Sequence, residues 1–95
     1  LAAGNQIGVG VMLALRERGV SVPEDLSLIC IDDVDIFRHG NPTVTVISRP
    51  FERIGELAAN RLLERIRNVD QVEHQQIFVP TTLIKRESCG PTLAR

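Results

Sequence analysis

The chain has 95 residues, 43% hydrophobic and 24% charged, with a net charge of −1 from 11 basic and 12 acidic side chains. That balance suits a folded domain and excludes a disordered segment, which needs less apolar content or a larger charge excess. It gathers no positive field, so this stretch is not by itself a nucleic-acid binder. The basic clusters Arg16/Arg18 and Lys85-Arg86 are mixed with Glu17 and Glu87 and read as solvated surface.

The chain opens at Leu1-Ala2-Ala3-Gly4 with an apolar pattern already under way, so it is expected to be a fragment of a longer protein. No apolar run is long enough to span a bilayer. The two cysteines, Cys30 and Cys89, show no pairing pattern, which points to a reducing compartment. Cys30 lies in an apolar run, where a thiol behaves as a small buried hydrophobe. His39 and His74 have no cysteine or carboxylate at ligand spacing, so no metal or other cofactor is expected.

A first helix is predicted over Gln6–Arg18, with Asn5 as N-cap and Gly19 just past its end. Ile7, Val11, Ala14, Leu15 and Arg18 recur at three- or four-residue spacing and form its stripe. Gly8 and Gly10 weaken helicity, which implies close packing against a sheet. Val22-Pro23-Glu24-Asp25 is a turn. Leu26–Ile31 follows as a strand whose last four residues are continuously apolar, the mark of burial on both faces in a parallel sheet. It stops at Asp32-Asp33.

Val34–Asn41 reads as a loop with room for a short helical turn. Thr43–Ile47 is β-branched throughout and predicts a second strand. Pro50 fits the first turn of a helix over Phe51–Arg67, with Phe51, Ile54, Ala58, Leu62 and Ile66 on one face. Val69–Gln76 is a polar surface connection. Ile77–Val79 and Thr82–Ile84 form a last strand pair or one strand broken by Pro80, and the tail from Gly90 is frayed. The order of elements fits α/β architecture with a parallel sheet.

The strongest chemical signal is Asp32-Asp33 at the carboxyl end of a buried strand. In open α/β sheets ligands bind beyond the carboxyl ends of the strands. A carboxylate there can accept two hydroxyl hydrogen bonds, which suits a polyol. Either aspartate could instead cap the following turn. An acidic pair could also hold Mg²⁺ in an enzyme, but no Gly-rich phosphate loop, matched lysine or Ser/His/Asp set accompanies it. Asn5 opens the first helix and can cap and donate to a ligand at once. Arg49 can clamp a ligand oxygen or pair with a neighbouring acid. Phe37 in its loop is either a contact surface or a cover over the sheet edge.

The run Leu15-Arg16-Glu17-Arg18-Gly19 through Val22-Pro23-Glu24-Asp25-Leu26-Ser27 to Asp32-Asp33 resembles the signature of LacI/GalR-type transcriptional regulators. The resemblance continues in step over Asn41–Pro50, Ile54–Leu63 and Val79–Ser88, and so covers nearly the whole chain. It implies the C-terminal part of a periplasmic-binding-protein-like (type I) domain. Residues 1–47 and 79–89 would belong to the C-terminal lobe and helix 51–67 to the N-terminal lobe. The family's DNA-reading helix-turn-helix is not in this stretch.

By that resemblance Asp32 stands at an effector-contacting aspartate. Asn5 stands where many members have Asp, and Arg49 where many have a cleft-lining Gln. Cys30-Ile31 replaces a Gly-aromatic pair and Gly8 replaces Ala. The implied protein is cytoplasmic, homodimeric and not an enzyme. It would bind a sugar or nucleobase-like effector between lobes and operator DNA through its N-terminal domain, with Phe37, His39 and Pro42 as dimer-contact candidates. The rival expectation within the same fold is a solute-binding protein of a transport system.

Overall fold

The structure is a computed structural model that describes residues 1–68 and 75–91. In chain order the elements are α1 (Asn5–Glu17), β1 (Ile29–Ile31), α2 (Asp35–His39), β2 (Thr45–Ser48), α3 (Phe51–Arg67) and β3 (Thr82–Ile84). The chain divides into two compact units, Leu1–Arg49 with the chain from Thr82 onward, and Pro50–Thr81.

The first unit is built on a three-stranded sheet in the order β1-β2-β3. β1 and β2 run parallel, with Cys30 opposite Val46. β3 runs antiparallel to β2, with Ser48 opposite Thr82, so the expected parallel pair carries an antiparallel third strand. On the other side of β1, Ala2 forms a parallel bridge to Cys30: its N–H donates to the Ile29 carbonyl at 2.8 Å and its carbonyl accepts from Ile31 N–H at 2.9 Å. β1 is therefore an interior strand, as its unbroken apolar run requires. Leu28 and Cys30 are buried on one face, while Ile29 and Ile31 are half-buried on the other.

The core comprises Ala2, Leu28, Cys30, Phe37, Val44 and Val46. Helix α1 covers it, but not with the expected stripe. Ile7 is 60% exposed and Ala14 is exposed, whereas Gly8 is the buried residue, flanked by the partly buried Val9, Val11, Met12 and Leu15. A hydrophobicity count passes over glycine, yet Gly8 is the point of closest approach. A Cβ built there would lie 2.8 Å from Cys30 Sγ and 2.8 Å from Phe37 Cζ. Asn5 is not the cap: Gly4, at φ 109°, holds that position, no side chain caps the helix, and Asn5 is the first helical residue. Gly19 does close the helix at φ 69°. Its N–H donates to the Arg16 carbonyl at 3.2 Å and Val20 N–H to that of Leu15 at 2.9 Å, the pairing of a Schellman motif.

Residues 86–90 fasten the amino ends of β1 and β2. Ser88 is fully buried; its hydroxyl donates to the Leu28 carbonyl at 2.6 Å and accepts from Thr45 N–H at 2.8 Å. Leu28 N–H donates back to the Ser88 carbonyl at 3.0 Å. A hydroxyl that both donates and accepts splices two strands where a backbone group could serve only one.

In the second unit α3 matches the predicted span and has no buried residue. Phe51, Leu62, Leu63 and Ile66 are exposed along it. Of the two runs expected as a final strand pair or one strand broken by Pro80, only Thr82–Ile84 is a strand; residues 77–79 are not. The connection expected over 69–76, the tail expected to fray and His74 fall wholly or partly outside the described residues. No helix among the described residues is long and apolar enough to cross a membrane.

Candidate functional site

The two adjacent aspartates after β1 have separate tasks. The parallel ladder runs one step past the strand, with Asp32 N–H donating to the Ile47 carbonyl at 2.8 Å. The backbone then turns over at φ 75°, which makes Asp32 the one non-glycine residue in the left-handed region among the described residues. Asparagine and aspartate tolerate that region best, but it is uncommon even for them and collects at functional sites. The turn sends the two carboxylates to different partners.

Asp32 meets Arg49. Arg49 Nε donates to Oδ1 at 2.7 Å and Nη2 to Oδ2 at 2.6 Å, a two-pronged pair in the geometry that guanidinium and carboxylate favour. The Asp32 side chain is 10% exposed and that of Arg49 46%. Arg49 lies one residue past β2, so the pair joins the carboxyl ends of two neighbouring parallel strands. Hydrogen bonds and charge from Arg49 hold the Asp32 carboxyl below the usual aspartate range, against an opposing effect of burial.

Asp33 meets Arg86. Arg86 Nη1 donates to Oδ1 at 2.7 Å and Nη2 to Oδ2 at 2.6 Å, while Arg38 Nε reaches Oδ2 at 3.2 Å. Arg86 Nη1 also donates to the Val44 carbonyl at 3.0 Å. Both side chains of this pair are mostly buried, at 14% and 15% exposure. Asp33 is thus a structural fastening between the end of β1 and the segment after β3. Arg86, read from the sequence as solvated surface, is its other half. The signal was present: the alternation of β3 continues past its end, with Ile84, Arg86 and Ser88 turned inward and Lys85 and Glu87 outward.

The Arg86 bonds hold the Asp33 carboxyl below its usual range, as Arg49 does for Asp32. A carboxyl depressed in the folded state binds its proton less readily than in the unfolded chain. Its stabilisation is complete above the ordinary aspartate value of about 3.9 and is lost as pH falls toward the depressed value. The stability gap between Asp33→Asn and the unaltered protein is expected to be widest above about pH 5 and to close below about pH 4, measured by urea unfolding at stepped pH.

Of the remaining expected residues, Asn5 is exposed and lines a shallow depression with Gln6, Val9 and Val34, two residues beyond Asp32. No hydrogen bond joins it to Asp32 or Arg49 among those described. Phe37, expected on a contact surface, is fully buried in the core against Gly8, so its ring offers nothing to a partner. His39 is exposed and Pro42 partly so. A larger cavity of about 410 Å³ lies at the amino ends of the strands, lined by Met12, Leu15, Val22, Leu28, Pro42 and Val44 among others. Its lining does not include Asp32 or Arg49, and neither aspartate contributes to it. No group of three or more His, Cys, Asp or Glu side chains gathers among the described residues.

The sequence of residues 1–89 matches the family described as periplasmic binding protein-like domain. The chain belongs to that family. Within it, the chain is 41% identical over 85 residues to the HTH-type transcriptional repressor PurR of Erwinia tasmaniensis, covering 90% of this chain and 25% of the relative. It is 32% identical over 79 residues to the ribose operon repressor of Haemophilus influenzae, covering 83% and 24%. Among solved structures, a LacI family transcriptional regulator from Enterococcus faecalis V583 with bound ribose superposes with a TM-score of 0.77 at 35% identity, covering 90% of this chain and 32% of that one. The chain spans about a quarter of the length of these curated relatives. The resemblance to LacI/GalR-type regulators and the α/β periplasmic-binding-protein-like fold are thereby borne out, and these relatives are regulators rather than enzymes.

Proposed function

We propose that this chain is the C-terminal part of the effector-binding domain of a DNA-binding transcriptional regulator that senses a small polar molecule, a sugar or a nucleobase. The observation that carries the reading is Asp32: a carboxylate at the end of an interior parallel strand, set by a left-handed backbone and oriented by Arg49. Such strand ends are where open α/β sheets receive ligands. The relatives' names add the HTH-type transcriptional repressor PurR, a ribose operon repressor and a ribose-bound regulator.

In this reading the first unit supplies the C-terminal lobe and α3 belongs to the N-terminal lobe. Asp32 and Arg49 contact the effector, Asn5 lies at the edge of the site, and the protein is cytoplasmic. Its dimer contact includes His39 and Pro42. The effector acts by differential affinity for two domain arrangements, one of which favours operator DNA. In this reading the protein is a regulator and not an enzyme, which is supported by the relatives being regulators and by the two aspartates being held by different arginines.

In the full-length protein, Asp32→Ala is expected to weaken effector binding at least tenfold, about 1.4 kcal/mol or more, while operator binding persists. Calorimetric titration of effector and a gel-shift assay with operator read the two separately. An unchanged effector affinity would reject the assignment.

A further inference from the structure

The cavity at the amino ends of the strands lies wholly within the first unit and shares no residue with the Asp32 site. It opens where the chain turns away from α1. Gly19, at φ 69°, ends the helix, and the turn that follows, with Val22 and Glu24, forms one wall. The floor is apolar: Leu28 and Val44 are buried, and Met12, Leu15 and Val22 are partly so. Water against such a floor finds few polar partners. The volume of about 410 Å³ lies within the span of small-ligand pockets, roughly 300–1,000 Å³.

Two opposite charges stand at the rim, Arg16 from α1 and Glu24 from the turn, and both are exposed. Neither side chain has a partner among the described residues. Asp25, next to Glu24, is already engaged, accepting from Ser21 N–H at 2.9 Å. Arg16 and Glu24 are long side chains on either side of the opening, able to reach inward. A polyol would leave the apolar floor unmatched. A fatty acid would answer Arg16 but bring its carboxylate close to Glu24. A molecule with a carboxylate, an ammonium and an apolar body answers all three features, through charge-assisted hydrogen bonds at one end and apolar burial at the other.

The geometry points to a second ligand site here, which takes an α-amino acid with an apolar side chain. Its carboxylate meets Arg16, its ammonium meets Glu24, and its side chain lies against Leu28 and Val44. This site stands independently of the effector-sensing reading of Asp32.

Calorimetric titration of the full-length protein with L-leucine, L-methionine and L-phenylalanine tests it. At least one is expected to bind ten times or more tightly than isocaproate, isoamylamine and glycine, which lack in turn the ammonium, the carboxylate and the apolar body. Arg16→Gln and Glu24→Gln are each expected to weaken that binding at least tenfold, and Arg16→Lys to keep part of it. Thermal unfolding checks that these surface variants fold. Asp32→Ala is expected to leave amino-acid affinity unchanged. No saturable binding by any of the three, equal binding of isocaproate or isoamylamine, or affinity unchanged in either glutamine variant overturns the inference. Binding lost in Asp32→Ala assigns the amino acid to the strand end, which keeps the sensor reading and ends this one. Sedimentation covers the remaining occupant: an association state that falls in Arg16→Gln and Glu24→Gln, with no amino acid bound, gives the cavity to a second copy of the chain and also overturns the inference.

Discussion

Asp33→Ala in the full-length protein is expected to lower stability by about 3 kcal/mol, within the usual cost of removing one member of a buried ion pair. Arg86 would be left with a mostly buried guanidinium that keeps its bond to the Val44 carbonyl but has lost its carboxylate. Arg38 would lose its bond to the same carboxylate. The link between the end of β1 and the segment after β3 would go with them. Asp32→Ala, one residue earlier, should cost far less, because its partner Arg49 is nearly half exposed and can turn to water. Urea unfolding of the two variants side by side measures the contrast. Equal losses would mean that the two aspartates do not divide into a structural and a sensing residue.

The second large effect is expected at Gly8. Gly8→Ala places a methyl group 2.8 Å from both Cys30 Sγ and Phe37 Cζ, in a core where both neighbours are fully buried. Overpacking of this kind costs about 1–3 kcal/mol. Cys30→Ala removes the sulfur and makes room on one side. Combined with Gly8→Ala it should recover about 1 kcal/mol relative to the sum of the single changes, a coupling typical of residues in contact. The recovery is partial because Phe37 still crowds the site. Additive effects in the double-mutant cycle would show that the helix shifts instead of clashing. By the resemblance, Gly8 stands in place of an alanine and Cys30 in place of a glycine, and in this structure the two face each other across the α1–β1 contact.

Periodicity and turn chemistry made most of the first unit, and α3 in the second, readable. Gly19, the Pro23 turn, the interior strand ending at Asp32 and the limits of α3 are all local signals, and each stands where it was expected. Departures arose where long-range contacts decide. The α1 stripe is rotated because a glycine, which carries no hydrophobic weight, is what β1 admits. Asn5 lost the cap to Gly4, whose φ of 109° favours glycine. Phe37 is core because α2 folds its ring back on Gly8, which a loop sequence does not disclose. In the site, the chain position of Asp32 was readable, and so was the option that Arg49 pairs with an acid. Which aspartate takes which arginine was not, since Asp33 and Arg86 are 53 residues apart. The family resemblance located Asp32, and the structure adds that Arg49 is its two-pronged partner.

The Ser88 clasp has a consequence for how the protein is made. Leu28 and Thr45 leave the ribosome well before Ser88, which joins them across 60 and 43 residues of chain. Until then the amino ends of β1 and β2 have no hydroxyl between them and Arg86 has not reached Asp33. The first unit is therefore completed only once residues 86–88 have emerged, and a nascent chain halted short of residue 86 presents an unfinished sheet to chaperones rather than a smaller folded domain.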